Sequence, residues 1–316
     1  MLTVDQALEE LVPLLQKQRL VAFVGSGISV DSGLPTWDKF LDNFISFCSE
    51  IRTTYGSKLK IIDELLPRNL IANASNERDK RPTHVAMVLK EALLALPKDD
   101  KHGSVRSNIE RDFRRWFARQ FDSREPNKKH HQLVGTSYPF ILASNYDLLL
   151  EEAAKSLAAP YGTYSLFDKE RVAAAIHQNE PAIIHIHGTY DEVYFDRVVF
   201  TAKDYIEVVK KKFPGSEFLL QTLFLRYSTV FFGYGASDPH LEDLVEELSY
   251  FLDFATDEDL PKTYLVVLKG KIAEDGIYER YKRRLRTQLI GIDGFQDYDR
   301  LLWGLNQAAP RHKSED

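Results

Sequence analysis

The chain has 316 residues, of which 44% are hydrophobic and 28% charged, and its formal net charge at pH 7 is −6. This is the composition of a soluble globular protein with enough residues for one large domain or two smaller ones. The negative charge argues against general coating of nucleic acid, and no apolar run reaches the roughly 20 residues of a membrane span. The single cysteine, Cys48, excludes disulfides and a thiolate zinc site. Because the first residues form an acidic amphipathic pattern and not a signal peptide, we expect a cytoplasmic protein without a membrane contact.

The first strand is predicted at Leu20–Val24, after a helix over residues 4–18. Gly25-Ser26-Gly27 follows this apolar strand directly, and bare amides and a hydroxyl at such a place suit a phosphate or a ribose. Thr36 is predicted to cap a helix near 37–48, whose apolar residues follow the helical period. A tight turn after a core strand is the competing interpretation of the glycines, because the stretch has neither GxGxxG nor GK[ST].

Residues 50–126 are predicted to form a helical insertion. Three segments there, 57–70, 82–96 and 107–121, space their apolar residues as helices do, and no strand pattern interrupts them. The stretch 111–119 mixes arginines with aromatic residues. Such a stretch can bind nucleic acid, but a core-facing aromatic stripe with a solvated basic face is the favoured interpretation.

Strands alternate with helices from residue 127 onward. The predicted strands are 140–143, 182–184, 229–232 and 264–268, and the predicted helices are 127–136, 148–157, 202–212, 216–227, 240–253 and 275–288, with a short helix at the end. This alternation indicates an α/β fold with a Rossmann-like, doubly wound and mainly parallel sheet. We therefore expect one domain built from residues 1–49 and 127–316. Ligands of such sheets bind at the carboxyl ends of the strands, where the strings 25–29, 144–147, 185–188 and 233–238 all fall.

Three side chains at these strand ends are suited to chemistry. Asn145 and Asp147 follow a predicted strand, although one such residue alone is more often a helix cap. His187 suits proton transfer, because an unperturbed histidine has a pKa of about 6.5. His185 and His187 could also supply two metal ligands, but spacing places no third one, and His130-His131 is an uncertain candidate. We therefore expect no metal and leave His185 structural.

Four strings resemble, in order, the motifs of the sirtuin family. Residues 25–38 resemble the first NAD-binding motif of sirtuins, which reads roughly GAGIS-xx-xGIPDFR. The string SNYD at 144–147 resembles the sirtuin QNID motif, and more closely the TNYD of bacterial sirtuin-like defence proteins. His187-Gly188 resembles the family's HG motif, and residues 233–239 resemble the GYSxxDP string of the defence proteins. Each motif is weak by itself, but together they are specific.

The chain departs from this family at two motif positions and in one module. Trp37 stands where the family has phenylalanine, and Asp38 stands where it has arginine, which reverses a charge. Sirtuin deacylases also carry a zinc module with two CxxC pairs, which one cysteine cannot provide. The resemblance therefore implies the NAD-hydrolysing bacterial branch and not histone-type deacetylases.

The resemblance implies a role for each matching residue. Asn145 is implied as catalytic and His187 as the general base, while Asp147 would hold the nicotinamide end of NAD and Gly233 and Ser237 the adenosine ribose. The NAD-binding residues implied in this way are Gly25, Ser26, Gly27, Ser29, Pro35, Trp37, Asp147, Gly233, Ser237 and Asp238. For residues 233–239 alone, a helix N-terminus with Asp238 as its cap is the competing interpretation.

The function implied by the resemblance is cleavage of NAD to nicotinamide and ADP-ribose, as an effector of abortive infection. The alternatives are a non-catalytic module that senses NAD or ADP-ribose, and an ADP-ribosyltransferase or deacylase. A hydride-transfer dehydrogenase fits poorly, because no acidic ribose reader follows a true GxGxxG. We also expect a homo-oligomer with contacts through the helical insertion or the first helix, and a partner such as a HerA-type ATPase. Internal packing of the apolar face of the first helix is the equal alternative.

Overall fold

The computed structural model describes residues 1–56, 60–77, 82–95, 103–191, 197–235, 260–271 and 287–311, together with Leu241, Leu244 and Leu248. Its strands are β1 (Leu20–Val24), β2 (Phe140–Ala143), β3 (Gly162–Ser165), β4 (Ala182–His185), β5 (Ser228–Phe232), β6 (Thr263–Leu268) and β7 (Gln288–Ile292). Its helices are α1 (Val4–Gln16), α2 (Trp37–Gly56), α3 (Lys60–Leu65), α4 (Arg68–Glu77), α5 (Pro82–Leu94), α6 (Gly103–Phe121), α7 (Lys128–Val134), α8 (Leu149–Ser156), α9 (Lys169–Gln178), α10 (Ala202–Asp204), α11 (Ser216–Arg226) and α12 (Phe295–Ala308). A π-helix, Tyr205–Lys212, continues α10. None of the helices described is both long and apolar enough to cross a bilayer.

The seven described strands form one parallel sheet in the order β3-β4-β2-β1-β5-β6-β7. Val24 at the end of β1 pairs with Ala143 of β2 and Phe232 of β5, and Ala143 pairs with His185 of β4. The strand order reverses at β1, so this is the point at which a doubly wound sheet opens a crevice. The predicted Rossmann-like sheet is confirmed, and its register aligns the ends of β1, β2, β4 and β5.

Both faces of the sheet are buried, as a parallel sheet requires. Val21 and Phe23 of β1 belong to the core that α9 and α11 cover, whereas Ala22 and Val24 belong to the core that α1, α7, α8 and α12 cover. All four of these side chains are fully buried. Leu241, Leu244 and Leu248 are helical and buried in the first of these cores, within the predicted helix 240–253, whose other residues lie outside the described part of the chain.

Two strands were not predicted. The strand β3 lies at the edge of the sheet and carries only half-buried or exposed residues, so its sequence lacks an apolar run. The strand β7 begins at residue 288, which the sequence prediction placed at the end of a basic helix, and this assignment is wrong. The rest of that predicted helix lies outside the described residues. The last helix, α12, has 14 residues and is longer than predicted.

The apolar face of α1 packs internally. Thr3 caps this helix with its hydroxyl, which accepts a hydrogen bond from the Gln6 amide. Leu11 and Leu15 are fully buried, and Leu8 and Leu14 pack against the same core. This is the alternative that the sequence left open. The expected homo-oligomer therefore loses one of its two predicted contact surfaces, and the oligomeric state stays a prediction.

The segment from α2 to α6 forms a helical layer with its own aromatic core. Phe40 and Phe44 of α2 pack against Phe113 and Phe117 of α6, and the predicted domain boundary after residue 49 falls inside α2. The arginines of α6 lie on its outer side, so the 111–119 stretch is the core-facing aromatic stripe that the sequence favoured.

The same core includes Tyr146, Leu149 and Phe200, which follow β2 and β4 along the chain. The helical layer therefore lies over the carboxyl edge of the sheet, where the polar strings meet.

Candidate functional site

A cavity of about 620 Å³ opens between the carboxyl edge of the sheet and the helical layer. Nine of the predicted site residues line it: Gly25, Ser26, Ser29, Pro35, Trp37, Asn145, Asp147, His187 and Gly233. Gly27 is not among the lining residues, and Ser237 and Asp238 lie outside the described residues. A cavity of this size is in the usual range for small-molecule and cofactor sites.

The two glycines after β1 lie too close to another part of the main chain to leave room for a side chain. A Cβ atom on Gly25 would lie 2.7 Å from the carbonyl oxygen of Gly233, and one on Gly27 would lie 2.9 Å from the Cα atom of Gly233. Gly233 itself has a φ of +61°, a value that favours glycine. The sequence pattern suits a close ligand at this glycine pair, but the close approach of the loop after β5 already accounts for both residues.

The amides of this loop are mostly occupied. The amides of Gly25, Gly27, Ile28 and Ser29 all donate hydrogen bonds to main-chain carbonyl oxygens within the loop, at the end of β5 or in the loop after β5. The prediction of bare amides for a phosphate is therefore wrong for these four groups. These hydrogen bonds fix the position of Ser29, and they leave few amides in the loop that could bind an anion.

The hydroxyl of Ser29 is the centre of a buried hydrogen-bond network. It donates to Asp147 Oδ2 at 3.0 Å, accepts from Asn145 Nδ2 at 3.1 Å, and lies 3.2 Å from Nε2 of His130. The Ser29 side chain is 1% exposed. One hydroxyl has one proton and two lone pairs, so these three partners use it completely. The network fixes Asn145 and Asp147 relative to each other.

His130 is the member of this network that the sequence analysis missed. The amide of Asn127 donates to Nδ1 of His130, so the proton of the neutral ring is on Nε2 and points to Ser29. Burial lowers the pKa of His130 to about 4, so the ring is neutral at physiological pH. The sequence had considered this histidine only as a metal ligand. The separation of 101 residues between Ser29 and His130 hides their contact from local patterns.

Asp147 is a buried carboxyl group at the end of the network. Burial raises its pKa to about 6, against the lowering effect of hydrogen bonds from the Leu149 amide and the Ser29 hydroxyl. The bond from Leu149 goes to Oδ1 at 3.2 Å. Asp147 thus binds the first amide of α8 from one residue before the N-cap position, which Leu148 occupies, and it lines the cavity as well.

Both ring nitrogens of His185 contact other groups of the protein. Its Nδ1 donates to the main-chain oxygen of Asn145 at 3.1 Å, and its Nε2 lies 2.7 Å from the carboxylate of Glu151. Its pKa is raised: burial favours the neutral ring, but the charge and the hydrogen bond of Glu151 outweigh this effect. Both nitrogens are engaged by protein groups, so His185 holds the main chain of Asn145. Within the described residues, no group of three side chains is arranged to hold a metal.

His187 and Asn145 both belong to the polar lining of the cavity. His187 is 8% exposed and Asn145 is 7% exposed. The buried Oδ1 of Asn145 receives no hydrogen bond from any residue in the described part of the chain. Gly188 after the histidine has a φ of +77°, and a Cβ there would lie 2.6 Å from the carbonyl of Arg197, so this position requires glycine.

Aromatic side chains form the wall of the cavity on the side of the helical layer. The rings of Trp37 and Phe40 stack at 5.5 Å, and Phe40 meets Phe200 edge to face at 5.9 Å. Tyr146 also lines the cavity, and its hydroxyl donates to the carbonyl of Val199 at 2.7 Å. The cavity thus has an apolar, aromatic side and a polar side, which suits a flat aromatic ring joined to a polar group.

Comparison with known proteins gives a match to one family model. Residues 139–290 match the family model of the SIR2-like domain. A comparison with curated proteins gave no match. The matched range covers the Asn145, His187 and Gly233 strings and leaves out the glycine loop after β1, which the sheet brings to the same edge. A SIR2-like domain indicates an activity that involves NAD, and the chain contains a match to such a domain on a Rossmann-like sheet.

Proposed function

We propose that the chain hydrolyses NAD to nicotinamide and ADP-ribose. The observation that carries this proposal is the state of Asn145. Its Nδ2 is held by Ser29, while its buried Oδ1 has no donor among the described residues, in a cavity of suitable size that His187 also lines. A buried acceptor without a donor is costly, and a ligand hydroxyl or a water molecule would satisfy it.

The cleavage of NAD requires only a few groups, and the residues that line this cavity would provide them. Nicotinamide leaves as a neutral group, so no general acid is required. The oxocarbenium-like transition state needs the ribose and the attacking water to be positioned. Asn145 would accept a hydrogen bond from a ribose hydroxyl or from the water, and His187 would take the proton, a contribution of typically 10²–10⁴-fold.

Asp147 is held in the cavity by hydrogen bonds from two neighbouring protein groups. Its two carboxylate oxygens each accept a protein hydrogen bond, from Ser29 and from the Leu149 amide. Each oxygen keeps a second lone pair, which the carboxamide of nicotinamide would use. The aromatic wall of Trp37 and Phe40 would accommodate the nicotinamide ring.

The test is to incubate the purified chain with NAD, with and without EDTA, and to measure the release of nicotinamide and ADP-ribose by chromatography. We expect activity to survive the chelator. Asn145→Ala and His187→Ala should each reduce the rate by about 100-fold or more, while a melting curve shows that each variant is still folded at the assay temperature. Asn43→Ala and His177→Ala, which make the same changes away from the cavity, are the matched controls.

Three results would contradict parts of this proposal. Full activity in either Asn145→Ala or His187→Ala would remove the catalytic assignment. Binding of NAD without any release of nicotinamide would instead support a sensing module. Labelling of a protein acceptor by ADP-ribose would support a transferase.

The biological role that we propose is NAD depletion in antiviral defence. Its support is the resemblance of the strings at 144–147 and 233–239 to those of bacterial defence proteins. An enzyme that destroys cellular NAD must be held inactive until needed, so we also propose control by self-assembly or by a partner such as a HerA-type ATPase. NAD levels in infected cells that express the chain or its Asn145→Ala variant would test the role, and light scattering would test self-assembly.

A further inference from the structure

A π-helix, Tyr205–Lys212, runs along the mouth of the cavity. Its i→i+5 hydrogen bonds place residues five apart on the same face, whereas an α-helix would separate them. Lys210 is thereby brought over the ring of Tyr205, with its Nζ 5.3 Å from the ring centroid. The hydroxyl of Tyr205 donates to Glu217 of α11, so the platform under Lys210 is anchored.

Lys210 differs from its two basic neighbours in what it faces. Lys211 forms an ion pair with Glu207 at 2.6 Å, and Lys212 lies over the ring of Phe213 at 5.4 Å. Lys210 lines the cavity, together with Tyr205. Among the described residues that line the cavity, Lys210 is the only lysine or arginine.

A dinucleotide brings a diphosphate with two negative charges into this cavity. The amides from Gly25 to Ser29 provide little compensation, because four of the five already donate to carbonyl oxygens. Asp38, which stands where the family has arginine, is exposed in the first turn of α2 and is not part of the lining. Asp147 adds a carboxyl group. A diphosphate bound in this cavity therefore needs a positively charged side chain nearby, and Lys210 is the side chain that provides this charge among the described lining residues.

We propose that Lys210 binds the diphosphate of the dinucleotide. This inference rests on the dinucleotide site of the proposed function and adds to it a residue that no motif contains. A lysine ammonium is a point charge on a flexible stem, so it can reach a phosphate from the mouth of the cavity without a fixed geometry. Lys211 offers a matched control, because it has the same charge on the same helix and is bound to Glu207.

The experiment is calorimetric titration of the protein with its native Asn145, using ADP-ribose and nicotinamide, neither of which contains the bond that is cleaved. Lys210→Glu should weaken the binding of ADP-ribose by about tenfold at low salt, and the difference should shrink as salt is added. Lys210→Arg and Lys211→Glu should each stay within about twofold of the parent protein, given that arginine keeps the charge and Lys211 lies outside the lining. Nicotinamide has no phosphate, so its affinity should not change.

Two results would overturn the role of Lys210: equal ADP-ribose affinity in the Lys210→Glu and Lys211→Glu proteins, or an equal loss of nicotinamide affinity in Lys210→Glu. The proposed reaction fails separately. Protein that binds ADP-ribose but releases no nicotinamide from NAD would refute hydrolysis and leave the role of Lys210 intact. A parent protein that does not bind ADP-ribose would refute both.

Discussion

Replacing Ser29 by alanine should both destabilise the protein and reduce its activity. The change removes a hydroxyl that is 1% exposed and has three partners. Two donors would lose their acceptor, namely Asn145 Nδ2 and His130 Nε2. One oxygen of Asp147 would lose its donor. A buried polar group that loses its partner costs about 1–3 kcal/mol.

The expected loss in the free energy of unfolding is about 3 kcal/mol, at the lower end of the sum for three groups, because water in the cavity can replace part of what is lost. This is a large part of the roughly 5–15 kcal/mol that stabilises a typical domain. The loss of the Ser29 bond also removes an interaction that lowers the pKa of Asp147, so this pKa should rise further. With Asn145 no longer fixed, NAD cleavage should fall at least tenfold.

The loss of stability is measured by denaturant unfolding that is monitored with circular dichroism. The loss of activity is measured by nicotinamide release. Ser144→Ala is the matched control, because Ser144 also lines the cavity but its hydroxyl makes one hydrogen bond, to the carbonyl of Val24 at 3.2 Å. Its loss should cost about 0.5–1.5 kcal/mol. If Ser29→Ala were as stable and as active as Ser144→Ala, the network would not have the role that its geometry indicates.

Two further predictions concern pH and packing. The native protein binds the proton of Asp147 more tightly than the unfolded chain does, because burial raises the pKa from 3.8 to about 6. Stability should therefore fall by about 3 kcal/mol as the pH rises from well below 4 to above 6, and Asp147→Asn should remove this slope in denaturant midpoints measured against pH. Gly27→Ala should cost about 1–3 kcal/mol, because its Cβ would meet the main chain of Gly233 at 2.9 Å. Gly270→Ala should cost little, because no atom of the described residues lies within 4 Å of its Cβ, and equal melting temperatures for the two variants would contradict the packing argument.

The parallel sheet could be predicted because its central strands have a clear sequence pattern. The strand β1 is a continuous apolar run followed by glycine, and Asn145 and His187 follow two other short, fully buried strands that are mainly apolar. Since ligands bind at the carboxyl ends of parallel strands, the order of strands and polar strings in the sequence is sufficient to predict that these residues share one site. Local patterns are sufficient here because each of these strands is buried on both faces.

Long-range contacts and edge positions could not be predicted in this way. The edge strand β3 has no apolar run, and the contact between Ser29 and His130 joins residues far apart in the chain. The packing of Gly27 against Gly233 could not be predicted either, because sequence cannot distinguish a nearby ligand from a nearby main chain. The π-helix that places Lys210 over Tyr205 has an apolar spacing that is typical of an ordinary helix.

The position of β1 in the sheet has a consequence for synthesis of the protein. This strand is made long before one of its two neighbours, β5, which ends at Phe232. At about 5–20 residues per second, a ribosome needs on the order of ten seconds or more to deliver that neighbour. Until then the loop that carries Ser29 has no Gly233 to pack against, so the cavity is incomplete on the nascent chain. The cavity proposed to cleave NAD is therefore assembled only when synthesis of the chain is well advanced.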